Sequence, residues 1–239
     1  MHCARTQLLW SSLLPLVFVT RQALSQQCAT QGPQNLFRAD FEGATVGSPP
    51  PAISTGYGPG GAAIQITNAA NNAVIVNSTA LGSRALQLTR ANPATTVEFL
   101  WGDAGDTPCT GRYIISFRAV GDPVPQYFIS GTGIEVKSME GRTALALRLF
   151  GGVYHHRQGD AYLPLSGSYD PTQPHTVTLS VYLDAHAYTV CVNGVVLAAG
   201  QPILDPDFRV RRGLAIQLSP MITEGFPAGF ILDDVRVTK

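Results

Sequence analysis

The chain has 239 residues, of which 45% are hydrophobic and 13% are charged, and its 16 basic side chains balance its 16 acidic ones. So much apolar material excludes an intrinsically disordered chain, and no basic stripe with interleaved aromatic residues points to a nucleic-acid-binding protein. We therefore expect one globular domain, because all-β sandwiches of this length commonly form a single unit.

The first 25 residues have the pattern of a secretory signal peptide. Arg5 precedes the apolar run Leu8–Val19, and Ala23-Leu24-Ser25 forms a small-x-small cleavage pattern before Gln26. The alternative is a membrane anchor, but that needs about 20 consecutive apolar residues, and this run is shorter. We expect cleavage after residue 25, a single mature domain over residues 26–239, no membrane span after cleavage, and a secreted location that is extracellular or periplasmic.

The cysteines would then lie in an oxidising compartment, where disulfides form. Removal of the signal peptide takes away Cys3 and leaves Cys28, Cys109 and Cys191. Cys191 lies in a strand-like run and is expected to be a buried, unpaired thiol, whereas the other two lie in irregular segments. We expect a Cys28–Cys109 disulfide. Three free thiols are the alternative, because sequence does not fix connectivity.

Short segments with alternating apolar and polar residues, typical of half-buried strands, follow one another from residue 37. Phe37–Gly43 opens the series, and Val46–Gly61 interrupts it with a long loop rich in proline and glycine. Asn77-Ser78-Thr79 is a sequon that accepts an N-linked glycan only in a eukaryotic host. The next predicted strands are Ala63–Ile66, Ala73–Val76, Ala85–Thr89, Val97–Trp101, Tyr113–Phe117 and Thr143–Phe150.

The second half has the strongest strand patterns. His175–Leu183 carries apolar residues on one face and hydroxyl-bearing residues on the other, which predicts one solvent-exposed face. Asn193-Gly194 joins two β-branched runs and predicts a tight hairpin. Gly213–Ser219 and Phe230–Val237 complete the series. The predicted fold class is all-β: a two-sheet antiparallel jelly-roll sandwich whose first and last strands pair.

Five segments carry a family resemblance: Asp40–Gly43, Arg84–Leu88, Pro174–Val181, Cys191–Gly194 and Phe230–Val235. In their order and spacing they resemble the concanavalin A-like lectin/glucanase superfamily, in particular its laminin-G-like jelly-roll members. The resemblance extends over nearly the whole mature chain. It implies two curved sheets, with a carbohydrate or protein ligand on the concave face or at its rim.

The sequence favours a binding protein over an enzyme. Hydrolytic members of this superfamily carry Glu-x-Asp-x-x-Glu on one strand, because retaining hydrolysis needs two carboxylates about 5 Å apart. This spacing does not occur in the chain. Polysaccharide lyases of the same fold use a Tyr/His pair and an Arg or Gln, and side chains of these types are present. A carbohydrate-active enzyme, lyase before hydrolase, is therefore the alternative function.

We expect a secreted, non-enzymatic module that binds an oligo- or polysaccharide or a cell-surface protein. Flat aromatic side chains suit sugar rings, and charged or amide side chains suit their hydroxyl groups. Trp101 is alternatively a core residue, because it shares a strand face with Val97 and Phe99. A structural component of an extracellular coat is a further alternative. The candidate ligand-binding residues are Trp101, Arg118, Arg148, Tyr154, His156 and Gln217.

Acidic residues mark both terminal strands. If those strands are neighbours, Asp40, Glu42 and Asp233 would hold a structural calcium, because grouped carboxylates repel unless a cation lies between them. The alternative is that Arg38 and Arg236 pair with these acids across the strand ladder. We expect no other cofactor. In particular, His155 and His156 would point to opposite faces of a strand and would not ligate one metal ion together.

Overall fold

The computed structural model describes residues 34–51, 62–67, 73–89, 96–102, 110–121, 131–138, 141–150, 153–167, 169–170, 172–208, 213–221 and 229–239. The expected signal peptide, Cys28, Cys109 and loop residues 52–61 lie outside these ranges. Across the ranges given, no helix is long and apolar enough to cross a membrane.

The regular elements of the described residues are all β-strands. In chain order they are β1 (Asn35–Ala39), β2 (Ala62–Thr67), β3 (Ala73–Ser78), β4 (Ser83–Thr89), β5 (Thr96–Gly102), β6 (Arg112–Gly121), β7 (Gly131–Ser138), β8 (Thr143–Phe150), β9 (Val153–Gln158), β10 (Ala161–Pro164), β11 (His175–Tyr182), β12 (Ala187–Val192), β13 (Val195–Pro202), β14 (Gly213–Met221) and β15 (Gly229–Thr238).

These strands form two antiparallel sheets. The eight-stranded sheet has the order β13-β12-β11-β6-β15-β4-β3, and β1 pairs with β15 in addition. The seven-stranded sheet has the order β10-β9-β8-β7-β14-β5-β2. The all-β, two-sheet antiparallel sandwich expected from the sequence is therefore confirmed.

The two sheets pack face to face around a single apolar core. Phe37 of β1 meets Phe99 of β5 edge to face, with ring centroids 5.9 Å apart. Near the other end, the Tyr154 hydroxyl on β9 lies 2.7 Å from Nε2 of His175 on β11. The core cluster contains residues from both sheets, so each sheet contributes one face to this core.

The last strand runs through the middle of the eight-stranded sheet. One edge of β15 pairs with β6, while the other edge pairs first with β4 over Gly229–Leu232 and then with β1 over Val235–Thr238. A β-bulge at Asp233–Asp234, with Asp234 at φ 51°, lies between these two partners. The expected pairing of the first and last strands is thus confirmed.

Three strands, β7, β9 and β10, were not predicted from the sequence. Gly131 and Gly133 weaken the strand pattern of their segment, but both lie within β7, which pairs with β8 and β14 on its two sides. Interior glycines are tolerated there because neighbours on both sides fix the backbone. Strand β9 carries polar or aromatic residues on both faces, and β10 has only four residues and ends at Pro164, so no apolar alternation marked them. The opening strand also ends at Ala39 instead of Gly43, because Phe41 adopts φ 56° in the following turn.

The predicted solvent-exposed face of β11 is wrong for the middle of the strand, although Thr176 near its start is exposed. Thr178 and Ser180 are only 9% and 2% exposed, and on the neighbouring strand Thr189 is 3% exposed. A period of two shows that a strand has two unlike faces, but it does not show that the hydroxyl-bearing face meets water. This part of the eight-stranded sheet is therefore buried on both sides.

The expectation that Cys191 is an unpaired thiol is also wrong. Cys191 is disulfide-bonded, and its partner lies outside the described residues. It is 1% exposed and lies on the face of β12 opposite the core residues Val190 and Val192. Both free thiols and disulfide-bonded cysteines are found buried in strands, so the expected burial of Cys191 did not show whether it was bonded. The Cys28–Cys109 pairing lies outside the described residues and stays a prediction. It does not fit this disulfide if Cys3 is removed with the signal peptide, because Cys191 then has only Cys28 or Cys109 as a partner within the chain.

Candidate functional site

Several partly exposed arginine, histidine and tyrosine side chains lie on the outer face of the seven-stranded sheet. On β8, Leu145, Leu147 and Leu149 point into the core, so Arg148 lies on the opposite face. On β9, Tyr154 and His156 are buried, so the partly exposed His155 lies on that same outer face. The alternation of each strand thus assigns these side chains to one surface.

The pairing of β8, β9 and β10 brings four side chains of this outer face together. Arg148 is directly opposite His155 in the β8–β9 pair, and Arg157 is opposite Tyr162 in the β9–β10 pair. The guanidinium carbon of Arg148 lies 3.7 Å from the centroid of the Tyr162 ring, which is close for a cation–π contact. We call the surface formed by Arg148, His155, Arg157 and Tyr162 the arginine face.

The charges of the arginine face are positioned by short local contacts. Arg157 donates from Nε to the carbonyl oxygen of Gly159 at 2.8 Å, and its Nη2 lies 3.6 Å from Asp160. His155 donates from Nδ1 to the carbonyl oxygen of Val153 at 3.1 Å. Burial lowers the pKa of His155 below its usual value, against the opposing effect of this backbone bond. The imidazole is therefore neutral at neutral pH, beside two permanent cations.

The polar surface continues onto the neighbouring strands. On β7, Lys137 and Glu135 form an ion pair at 2.9 Å, and both are partly exposed. Gln217 of β14 lies in register with Glu135 on one side and Glu98 on the other. Carboxylates are thus paired or lie towards the middle of the sheet, whereas the arginines lie towards the β10 edge. Guanidinium groups with a neutral imidazole and an aromatic ring can bind carboxylate and hydroxyl groups.

Five of the six candidate ligand-binding residues lie in the sheet that carries this face, but two of them, Tyr154 and His156, lie on its buried side. Arg148 is part of the arginine face itself. Gln217 on β14 and Trp101 on β5 lie in the same sheet, but their side chains are outside the described part of the chain.

Two of these candidates are buried, and their expected role is wrong. Tyr154 is fully buried, stacks on Tyr169 and bonds to His175. His156 is 5% exposed, and its Nδ1 lies 3.1 Å from the hydroxyl of Tyr188. Neither side chain meets a ligand on the surface, because β9 turns this face into the core. The prediction that His155 and His156 point to opposite faces is confirmed, but the outward one is His155.

Arg118 lies in the other sheet and serves the fold. It donates from Nη2 to the carbonyl oxygen of Leu81 at 2.8 Å, and its Nη1 lies 4.0 Å from Asp233. It therefore ties the turn between β3 and β4 to the bulge of β15. The structure does not bring Arg118 together with Arg148.

The acids of the terminal strands have arginine or hydroxyl partners. Arg38 lies 3.3 Å from Asp40 and 3.7 Å from Asp234, and Arg236 lies 2.7 Å from Asp234. Asp233 is 3% exposed and accepts a bond from Ser83 at 2.6 Å. Burial raises its pKa, although the bonds from Ser83 and from the Asp234 amide act in the opposite direction.

These contacts match the alternative in which arginines pair with the terminal acids. Within the residues described, no group of three His, Cys, Asp or Glu side chains is arranged to hold a metal ion. Glu42 is exposed in the turn after β1, and its backbone amide contacts Asp40. Calcium binding by Asp40, Glu42 and Asp233 stays a prediction.

His155, Arg157 and Tyr162 were missed as site residues. The alternation of side chains along paired strands could have identified them. If Arg148 points outward from β8, then the residue opposite it on β9 points outward as well, and so does every second residue along β9. The sequence does not give the register between the two strands, and so it does not fix which residues of β9 point outward.

Comparison with known proteins shows the fold alone. No family model matches the chain, and no curated protein matches it. Among solved structures, a sialidase is similar with a TM-score of 0.51 and 14% identity, covering 71% of this chain and 17% of the sialidase chain. An alginate lyase of polysaccharide lyase family 7 has a TM-score of 0.50 and 10% identity, covering 72% of this chain and 84% of the lyase. The fold is a jelly-roll sandwich.

A third similar structure is botulinum neurotoxin type C, which depends on an interaction with two ganglioside molecules when it enters cells. Its TM-score is 0.55 at 9% identity, and the match covers 86% of this chain and 47% of that chain. The chain thus spans less than half the length of the sialidase and the neurotoxin chains.

Proposed function

We propose that this chain is a concanavalin A-like, secreted carbohydrate-binding module that binds an acidic glycan through the arginine face. The observation that carries the proposal is the stack of Arg148 on Tyr162 at 3.7 Å, with Arg157 and the neutral His155 beside it. The stack holds a guanidinium group at the surface of the sheet, where its N–H donors suit a carboxylate or sulfate group.

The similar structures support a carbohydrate ligand as a class. They include an alginate lyase, a sialidase and a neurotoxin that interacts with gangliosides. Identities of 9–14% leave the ligand itself to be argued from this chain's own residues. Here the excess of arginine at the β10 edge favours an anionic glycan over a neutral one.

The test is gel electrophoresis of the purified protein through alginate, polygalacturonate or a neutral β-glucan. Arg148→Ala is compared with Arg38→Ala, which removes a similarly charged side chain from the other sheet. We expect the acidic gels to retard the wild type and Arg38→Ala, and Arg148→Ala to bind at least about tenfold more weakly, since a charged hydrogen bond contributes about 1.5–3 kcal/mol. Equal retardation of all three proteins, or none of the wild type, would overturn the proposal.

A second candidate function is a polysaccharide lyase. The arginine face places His155, Tyr162 and Arg148 on one surface, and these are the residue types that remove the proton beside a uronate carboxylate and neutralise that carboxylate. The reaction would cleave the glycosidic C–O bond, leave a C=C bond in one product and protonate the other. Ultraviolet absorbance of unsaturated products in the same alginate and polygalacturonate samples separates cleavage from binding.

A further inference from the structure

A second polar concavity lies at the end of the arginine face. Where β8 begins and β9 ends, a cleft of about 470 Å³ is lined by Arg142, Thr143, Arg157, Leu204 and Asp205, among others. We call it the end cleft. Arg157 belongs to both the arginine face and the end cleft, so the two surfaces are continuous.

The walls of the end cleft are fixed by backbone bonds. The amides of Leu204 and Asp205 donate to the carbonyl oxygens of Ala144 and Thr143 at 2.9 and 3.1 Å. Phe208, at the end of this segment, is 1% exposed and belongs to the core. The segment after β13 is therefore attached to β8 like an additional short strand, and its side chains are held in place.

The end cleft presents donors and an acceptor together. Nη1 of Arg142 lies 3.1 Å from each carboxylate oxygen of Asp205 and 3.7 Å from Asp207, so the described contacts of this guanidinium group all involve Nη1. A bond from the Asp207 amide and the nearby Arg142 lower the pKa of Asp205, which keeps it ionised. Arg157 adds a second guanidinium group. A site that both donates and accepts suits a sugar, whose hydroxyl groups do both.

We propose that the end cleft is a second sugar-binding subsite, which holds the part of an oligosaccharide that extends beyond the arginine face. This inference rests on the proposed function. Arg142 and Arg157 donate to the ring substituents of the bound sugar, and Asp205 accepts from its hydroxyl groups. Arg148 and Thr143 are five residues apart on β8, or roughly 16 Å at the rise of a strand, so one bound chain must be several sugars long to reach both.

The test uses a ladder of oligouronates from disaccharide to hexasaccharide, with binding measured by calorimetry. Arg142→Ala is compared with Arg38→Ala, because the two side chains are 47% and 48% exposed and each pairs with two aspartates. We expect wild-type affinity to rise with chain length. Arg142→Ala should bind the disaccharide like the wild type and the hexasaccharide about fivefold or more weakly, as expected for one lost charged contact.

The outcomes separate the subsite from the proposed function. Equal weakening of Arg142→Ala at every length indicates a structural defect and overturns the subsite, as does unchanged binding of the hexasaccharide. If Arg148→Ala loses all binding while Arg142→Ala loses none, the proposed function stands and the subsite falls. A wild type that binds no member of the ladder overturns both. Thermal melts of each variant confirm that the comparison is between folded proteins.

Discussion

Two histidines, His156 and His175, are buried among the apolar residues of the core. His175 donates from Nδ1 to the carbonyl oxygen of Gln173 and accepts at Nε2 from the hydroxyl of Tyr154. Both ring nitrogens are thereby satisfied with the imidazole neutral. Burial lowers the pKa of His175 below 6.5, although the Gln173 carbonyl and Asp170 act in the opposite direction. Burial lowers the pKa of His156 as well.

These shifts predict that the protein loses stability in mild acid. The folded state binds the His175 proton more weakly than the unfolded state, so the stabilisation is complete above 6.5 and is lost as the pH falls through and below that value. We expect a lower free energy of unfolding in urea at pH 5 than at pH 7.5. His175→Gln should reduce this difference, because glutamine still accepts a bond but does not titrate in this range.

Asp233 affects the pH dependence of stability with the opposite sign. Its raised pKa means that the folded state holds its proton more tightly, so stability falls as the pH rises from 3.8 through the folded-state value. Asp233 therefore does not cause a loss of stability when the pH is lowered.

The contribution of His175 can be checked directly. If the wild type and His175→Gln lose the same free energy of unfolding between pH 7.5 and pH 5, His175 is not the cause of the loss.

At the residue scale, the outward direction of Arg148 was predictable from the sequence, but the residues around it were not. Arg148 stands between leucines that alternate without interruption, so its outward direction follows from β8 alone. On β9 both faces are polar or aromatic, and the choice between His155 and His156 depends on long-range pairing with β8. Histidine and tyrosine are seldom as fully buried as His156, His175 and Tyr188 are here. The residue type therefore did not indicate that His156, which was named as a ligand-binding residue, lies in the core.

At the element scale, β1 is a short strand whose contribution comes mainly from what it buries. Phe37 is 1% exposed and contacts Phe99 of the opposite sheet, while its neighbour Arg38 points to solvent. The strand thus joins the two sheets through one ring and adds to the edge of β15 through its backbone. The pairing of terminal strands was predictable because both carried strong patterns.

Phe37→Ala should destabilise the protein by about 3–5 kcal/mol, as is typical when a buried phenylalanine leaves a cavity. Arg38→Ala is the matched control on the same strand, and because its ion pairs are exposed it should cost no more than about 1 kcal/mol. Urea unfolding of the two variants gives both values. Similar losses for both would mean that β1 contributes through its backbone pairing and not through Phe37.

Other elements were only partly predictable. The Asn193-Gly194 hairpin is confirmed, with both residues at positive φ of 50° and 77°, as a type I′ turn requires. Strands β7, β9 and β10 were not found, because interior glycines and polar residues are stabilised there by neighbouring strands that a local pattern does not contain.

At the scale of the whole molecule, the ends of the described chain are tied by charge and by backbone. Gln34 and Lys239 exchange two backbone hydrogen bonds at 3.0 and 2.9 Å. At the other end of the β1–β15 pair, Asp40 and Asp234 are neutralised by Arg38 and Arg236. The closure therefore has its counter-charges within the protein.

We expect the melting temperature to be the same in millimolar calcium and in excess chelator, because a ligand that binds only the folded state must raise the midpoint and these carboxylates already have cationic partners. Calorimetric melts of the wild type measure this directly. A midpoint that rises with calcium in the wild type, and does not rise in an Asp40→Asn variant, would instead establish the calcium site that the sequence suggested.

The central position of β15 has a consequence for how the chain folds. Until residues 229–238 have been synthesised, β6 on one side and β4 and β1 on the other have no strand between them. The described strands of the larger sheet then form three separate parts: β13-β12-β11-β6, the pair β3-β4, and β1 alone. Contacts between β1 and β15 join residues at opposite ends of the sequence, and such non-local contacts slow folding. The larger sheet is therefore completed only when residues 229–238 are available to insert between strands that were synthesised much earlier.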